Sequence, residues 1–150
     1  MLDREERMMP KLGTSNDGKK MHYTVGALIE RDGKYLLIDR ALAPYGWAGP
    51  AGHIGDNESP DDAIIRKVNE EVGLEVIAKK ILLKKEVPWN TCRDGIDNHY
   101  WYLYSCETKG EVSIDPEGAK SYDWVSKEQI AKLGLEPVWN YWFKKLGIIE

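Results

Sequence analysis

The sequence predicts an α/β fold, and three observations carry that reading. Short runs rich in β-branched and aromatic residues are bounded by Asp-Gly and other glycine turns, the mark of strands. Three segments, opening at Ser59, Ser126 and Pro137, carry helix start signals. Strands and helices are mixed without the regular alternation of repeated βαβ units. At 150 residues one domain is expected, with residues 1–20 as a polar, unpatterned, flexible arm and 21–150 as the domain.

The elements follow in order. "HYTVGALIE" and "YLLIDR", joined by "RDGK", read as a hairpin about an Asp-Gly turn. "ALAPYGWAGPAG" is too rich in Pro and Gly for a regular element, though its end suits a short strand. Over residues 60–72 the helix signal is strong. Ser59 suits the N-cap, Pro60 the first helical position and Asp62 a capping-box-like pattern, while Gly73 supplies the left-handed stop. Ile64, Val68 and Val72 recur every fourth residue and form one apolar stripe. "LEVIAKKILLKKEVPWN" is extended up to Pro88, "RDGIDN" turns the chain, and "HYWYLYSCE" is a strand. "SYDWVS" is a short strand after the loop "IDPEGAK". Ser126 and Gln129 form a second capping box on a helix expected to close at Gly134, and Pro137 opens the last helix. Trp139, Trp142 and Phe143 fall at helical spacing there and are assigned to the core.

Composition excludes several classes. There are 21 Lys and Arg against 25 Asp and Glu, a net charge of −4, and no long basic run, so neither a nucleic acid polymer nor an anionic membrane is an expected partner. No apolar run has transmembrane length and no secretory leader is evident, which places the chain in the cytoplasm. Cys92 and Cys106 are expected as free thiols. The histidines, His22, His53 and His99, are scattered in sequence, with none at i, i+4 from another, and no zinc site is expected. The aromatic strands leave a homodimer open.

On a helical wheel the apolar stripe faces inward, and Arg66, Glu70, Lys67 and Glu71 fill the remaining arc. Helical side chains lean towards the N-terminus, so Glu70 and Glu71 lean onto the turn that carries Lys67. Clustered carboxylates beside a loop suit hard divalent cations.

The spacing Gly52, five residues, Glu58, seven residues, Arg66, one residue, Val68, one residue, Glu70-Glu71, one residue, Gly73-Leu74 resembles the Nudix box. "TVGALIERDGKYLLIDR" before it and "YDWVSKEQI" after it resemble the family's flanking strands, so the similarity spans about residues 22–133. The resemblance implies an α/β/α sandwich with a mixed sheet, and hydrolysis of a diphosphate linkage in a small nucleoside diphosphate derivative with Mg²⁺ or Mn²⁺. It implies Glu70, Glu71 and the Gly52 carbonyl as metal ligands, and a Glu58–Arg66 ion pair orienting loop and helix. One position departs: Lys67 stands where the family has glutamate, a change of two charge units. That implies fewer metals, weaker metal binding or no turnover. Glu117 is the first candidate for a replacement acid, with Asp115 and Asp123 behind it. Trp47 and Trp89 are candidates to stack on a base, and His53 to contact a phosphate. The alternative reading is a catalytically silent domain of this fold that binds a nucleotide or phosphorylated metabolite.

Overall fold

The computed structural model describes residues 9–150. Eight strands form one mixed sheet among these residues: β1 (Leu12–Thr14), β2 (Lys20–Arg31), β3 (Lys34–Arg40), β4 (Trp47–Ala48), β5 (Ala51–His53), β6 (Glu75–Val87), β7 (Asn98–Lys109) and β8 (Ala119–Val125). Its main path runs β4-β3-β2-β7-β6. Only β2 and β7 pair in parallel, over Met21–Ile29 and Asn98–Cys106. The helices are α1 (Pro60–Val72), α2 (Lys127–Ile130) and α3 (Pro137–Lys145).

The period-two alternation of the strands explains the layering. Val25, Ala27 and Ile29 of β2 join Leu36, Ile38 and the α1 stripe Ile64, Val68 and Val72 in one core. Leu28, Leu37, Trp101 and Leu103 point the other way, into a second core with Trp139, Trp142 and Phe143 of α3. The result is the expected α/β/α sandwich, with one sheet buried on both faces.

β2 and β3 pair only at their hairpin end, where Asp32 and Gly33 both take positive φ (54° and 77°) as a two-residue turn requires. Beyond it they diverge. β3 pairs with β4 and β8, while β2 pairs with β5, placing Gly52 opposite Val25 and His53 opposite Thr24. A cleft opens at this divergence.

Two boundaries differ from expectation. Of the arm expected over residues 1–20, residues 1–8 lie outside the described residues, but the rest is tied to the sheet. β1 pairs with Lys20–His22, the Lys11 amide donates to the Ile54 carbonyl at 2.8 Å, and the Asp56 amide to the Met9 carbonyl at 2.9 Å. Backbone hydrogen bonds hold this segment, so its side chains need show no apolar pattern. The helix after Ser126 ends at Ile130, not at Gly134. The Gly134 carbonyl accepts from the Trp47 amide at 2.9 Å, which draws the chain to β4 instead of into another helical turn.

Candidate active site

α1 begins and ends as its sequence requires. The Ser59 hydroxyl accepts from the Asp62 amide at 3.1 Å, Pro60 opens the first turn, and Gly73 closes the helix in the left-handed region at φ 71°. This fixes the polar arc of the helix against the loop that precedes it. Arg66 clamps Glu58 with two bonds, Nε to Oε2 at 2.7 Å and Nη2 to Oε1 at 2.8 Å. Its Nη2 also donates to the His53 carbonyl at 3.0 Å and its Nη1 to Glu70 Oε2 at 3.2 Å. Glu58 Oε1 accepts in addition from the Gly55 amide at 3.0 Å. Burial pushes the Glu58 carboxyl up, but the bonds from Arg66 and Gly55 outweigh it and hold the group below the usual range, while Glu58 raises Arg66. The expected ion pair is therefore a bidentate latch that joins β5, the loop and α1.

Lys67 is 2% exposed, so its ammonium does not swing into solvent. Its stem crosses the face of Gly52, where a Cβ would fall 2.2 Å from Lys67 Cε and 2.6 Å from Nζ. A larger residue there would force the end of the lysine to move. Nζ lies 3.8 Å from Glu70 Oε2, a loose pair one turn along the helix. The lysine thus reaches both the glycine and one of the two glutamates assigned to a metal. The other, Glu71, is 6% exposed and lines a cleft at the divergence of β2 and β3.

The cleft is open to solvent at its mouth. Besides Glu71 its polar lining includes Arg40 from the end of β3, Arg93 from the β6–β7 connection, Thr24 and Glu136. Glu136 is 4% exposed and stands at the N-cap of α3, yet its side chain makes no capping bond. Burial pushes its carboxyl up to about 7, with Glu71 adding to the rise and Arg40 opposing it. Its backbone is pinned to β4: the Glu136 amide donates to the Trp47 carbonyl at 3.0 Å. Gly46, at φ 128°, packs so closely that a Cβ would lie 2.4 Å from the Glu136 nitrogen. A carboxyl that titrates near neutral pH, with its backbone fixed in a cleft that arginines also line, can exchange a proton with a bound molecule.

The other candidates are distributed unevenly. His53 lines the cleft, and burial, with the neighbouring histidines and cations, lowers it to about 3, so its ring is neutral. Glu117 is exposed and outside the cleft lining, its amide donating to Asp115 Oδ1 at 2.9 Å, although the next residue, Gly118, is part of that lining. Trp47 is half-buried and outside the lining. Trp89 is 48% exposed and meets Tyr141 edge-on, with ring centroids 5.6 Å apart. Sequence reasoning missed Glu136, Arg40 and Arg93. Glu136 alone had a signal, a glutamate at an N-cap position where a shorter Ser, Thr, Asp or Asn is preferred.

Comparison with known proteins follows the same outline. The profile of the NUDIX domain matches residues 20–146. The nucleoside triphosphatase NudI of Escherichia fergusonii is 30% identical over an alignment of 124 residues, covering 72% of this chain and 84% of its own. The RNA pyrophosphohydrolase of Ectopseudomonas mendocina is 31% identical over 118 residues, covering 68% and 74%. Among solved structures, the NUDIX domain of Shewanella oneidensis NrtR, complexed with ADP ribose, superposes with a TM-score of 0.69 at 18% identity, covering 83% of this chain and 84% of that one.

Proposed function

The chain belongs to the Nudix family, and from that premise we propose that it hydrolyses a diphosphate linkage in a nucleoside diphosphate derivative, with Mg²⁺ or Mn²⁺. The observation that carries the reading is the cleft itself: buried Glu71 and Glu136 share it with Arg40 and Arg93, beside an intact Arg66–Glu58 latch.

The donor set fits one hard divalent cation. Glu71 lines the cleft next to Gly52, and carboxylate and carbonyl oxygens are the ligands such ions prefer. Glu70 is shared with Arg66 and Lys67, so on this reading the Lys67 ammonium carries positive charge that a glutamate there would leave to a further metal. Bound Mg²⁺ or Mn²⁺ would supply charge neutralisation on the diphosphate oxygens. Arg40 and Arg93 would bind the remaining phosphate oxygens, a task that suits guanidinium. The Glu136 carboxylate would accept the proton of the attacking water. Glu58 and Arg66 would hold the Gly52–Glu58 loop against α1. A homodimer would use the outer edge of β6, where Ile77, Ile81 and Leu82 are exposed.

The seating of Lys67 favours a second reading, a silent domain that binds a nucleotide without turning it over. A panel of nucleoside triphosphates and nucleoside diphosphate derivatives, assayed for phosphate and nucleotide release with Mg²⁺ and with Mn²⁺, separates the two. The enzyme reading expects wild-type turnover, its loss in Glu71→Gln, and a fall of about 100-fold or more in kcat for Glu136→Gln. Nucleotide binding without turnover, in wild type and in Lys67→Glu alike, would establish the silent domain.

A further inference from the structure

The three histidines, scattered in sequence, converge in the fold. His22 and His99 are register partners on the parallel strands β2 and β7, and His53 on β5 sits opposite Thr24, two residues along β2 from His22. Side chains two residues apart on a strand share a face, so adjacent strands deliver three imidazoles to one face of the sheet. The rings pack with centroids 4.4 Å apart for His22–His53 and 5.7 Å for His53–His99 and His22–His99. Cys92, on the loop between β6 and β7, brings its Sγ to 3.8 Å from His22 Nδ1. One ligand atom from each of the four residues lies within 4.8 Å of the other three.

We propose that His22, His53, Cys92 and His99 form a binding site for a borderline-soft divalent metal of the zinc class, on the wall of the same cleft that Glu71 lines and distinct from Glu70 and Glu71 in its nitrogen and sulfur donors. Four N and S donors in a compact group are the ligand set for tetrahedral Zn²⁺. Ideal bond lengths put N and S ligands about 3.6 Å apart around such an ion, close to the Cys92–His22 separation. The widest separation in the group, up to 4.8 Å, leaves a contraction of about an ångström to be made on binding. Two further observations point to a ligand. His53 Nδ1 is buried with no hydrogen-bond partner among the described residues, a cost that an unfilled lone pair imposes and a metal removes. His99 Nδ1 lies 3.3 Å from the Asp97 carbonyl, which can hold that nitrogen as the protonated one and leave Nε2 as the donor. Binding would release one proton, from the Cys92 thiol to solvent, and each imidazole would contribute a lone pair with no redox change. The N₃S set selects against Mg²⁺ and Mn²⁺. Because Arg93 follows Cys92, the metal would also fix the loop that carries this arginine into the cleft.

The test uses the full chain with Co²⁺ as a spectroscopic probe and Zn²⁺ as competitor. Expected is one Co²⁺ per chain with an intense tetrahedral visible spectrum and a thiolate charge-transfer band. The spectrum should survive excess Mg²⁺ and the Glu70→Gln/Glu71→Gln double variant, and bleach on addition of Zn²⁺. Cys92→Ser, a change on a loop, should abolish the charge-transfer band and weaken Zn²⁺ binding by more than the roughly 10–100-fold that loss of an outer-shell partner costs. His99→Gln should weaken it similarly, with circular dichroism confirming the fold. No Co²⁺ binding, a weak octahedral spectrum, loss of the spectrum in the Glu70→Gln/Glu71→Gln variant, or a thiolate band that persists in Cys92→Ser would each overturn the proposal. The diphosphate hydrolase reading is tested separately, by turnover in the wild type and its loss in Glu71→Gln.

Discussion

At the scale of single residues, two buried ionisable groups stand out, Glu136 in the cleft lining and Lys67 against Gly52. Glu136 binds its proton more tightly in the folded chain than in the unfolded one, because its carboxyl is raised from 4.5 to about 7. Between those values the folded state holds more protons, so stability must fall as pH rises and level off above about 7. The loss is of order 3 kcal/mol at most, from about 1.4 kcal/mol per pKa unit. Glu136→Gln should flatten this slope and be more stable than wild type at pH 8 but not at pH 4, as chemical denaturation at the two pH values would show. Lys67 is the counterpart. Its departure from the family pattern was visible in the sequence, but its direction was not. A long stem can reach solvent or turn inward, and only the bare face of Gly52 decides for the inward path.

At the scale of elements, α1 and its preceding loop behave as one unit. Ser59→Ala should cost about 1 kcal/mol through loss of the cap, measurable as a shift of the urea midpoint without a change in slope. Glu58→Ala should cost more, about 3 kcal/mol, since it leaves Arg66 half-buried without its bidentate partner and frees the Gly55 amide. Gly52 and Lys67 should be strongly coupled. Gly52→Ala should destabilise the wild type by displacing the lysine, and should cost much less in a Lys67→Ala background. A double-mutant cycle that came out additive would refute that packing. α1 was legible to the residue because cap, proline, stripe and terminal glycine all agree locally. The end of α2 was not, because it is set by a hydrogen bond that the Trp47 amide of β4, remote in sequence, donates to the Gly134 carbonyl. β1 was hidden for a similar reason, being held by backbone pairing that leaves no pattern in its side chains.

At the scale of the whole molecule, one sheet serves two cores, and the second core also builds the site. Phe143, fully buried in α3, anchors the helix whose first turn presents Glu136. Phe143→Ala should cost about 3–5 kcal/mol and also lower activity in the folded fraction, a pairing that thermal melts and single-temperature kinetics would reveal together. The sandwich was legible because alternating strands and an amphipathic helix report their own faces. The cleft was not, since Thr24, Arg40, Arg93 and Glu136 carry no shared motif and meet only through strand order. The histidine cluster is the sharpest case, created wholly by register. The parallel pairing of β2 with β7 also has a kinetic consequence. It joins His22 to His99, 77 positions apart by subtraction of their numbers, and no hairpin can nucleate such a contact. Closure of so long a loop slows the search for the native state, and a chain still in synthesis has no cleft until β7 and then α3 have emerged. The cleft is therefore among the last parts of the molecule to exist, and on the function proposed above partly assembled chains should neither hydrolyse nor bind a nucleotide.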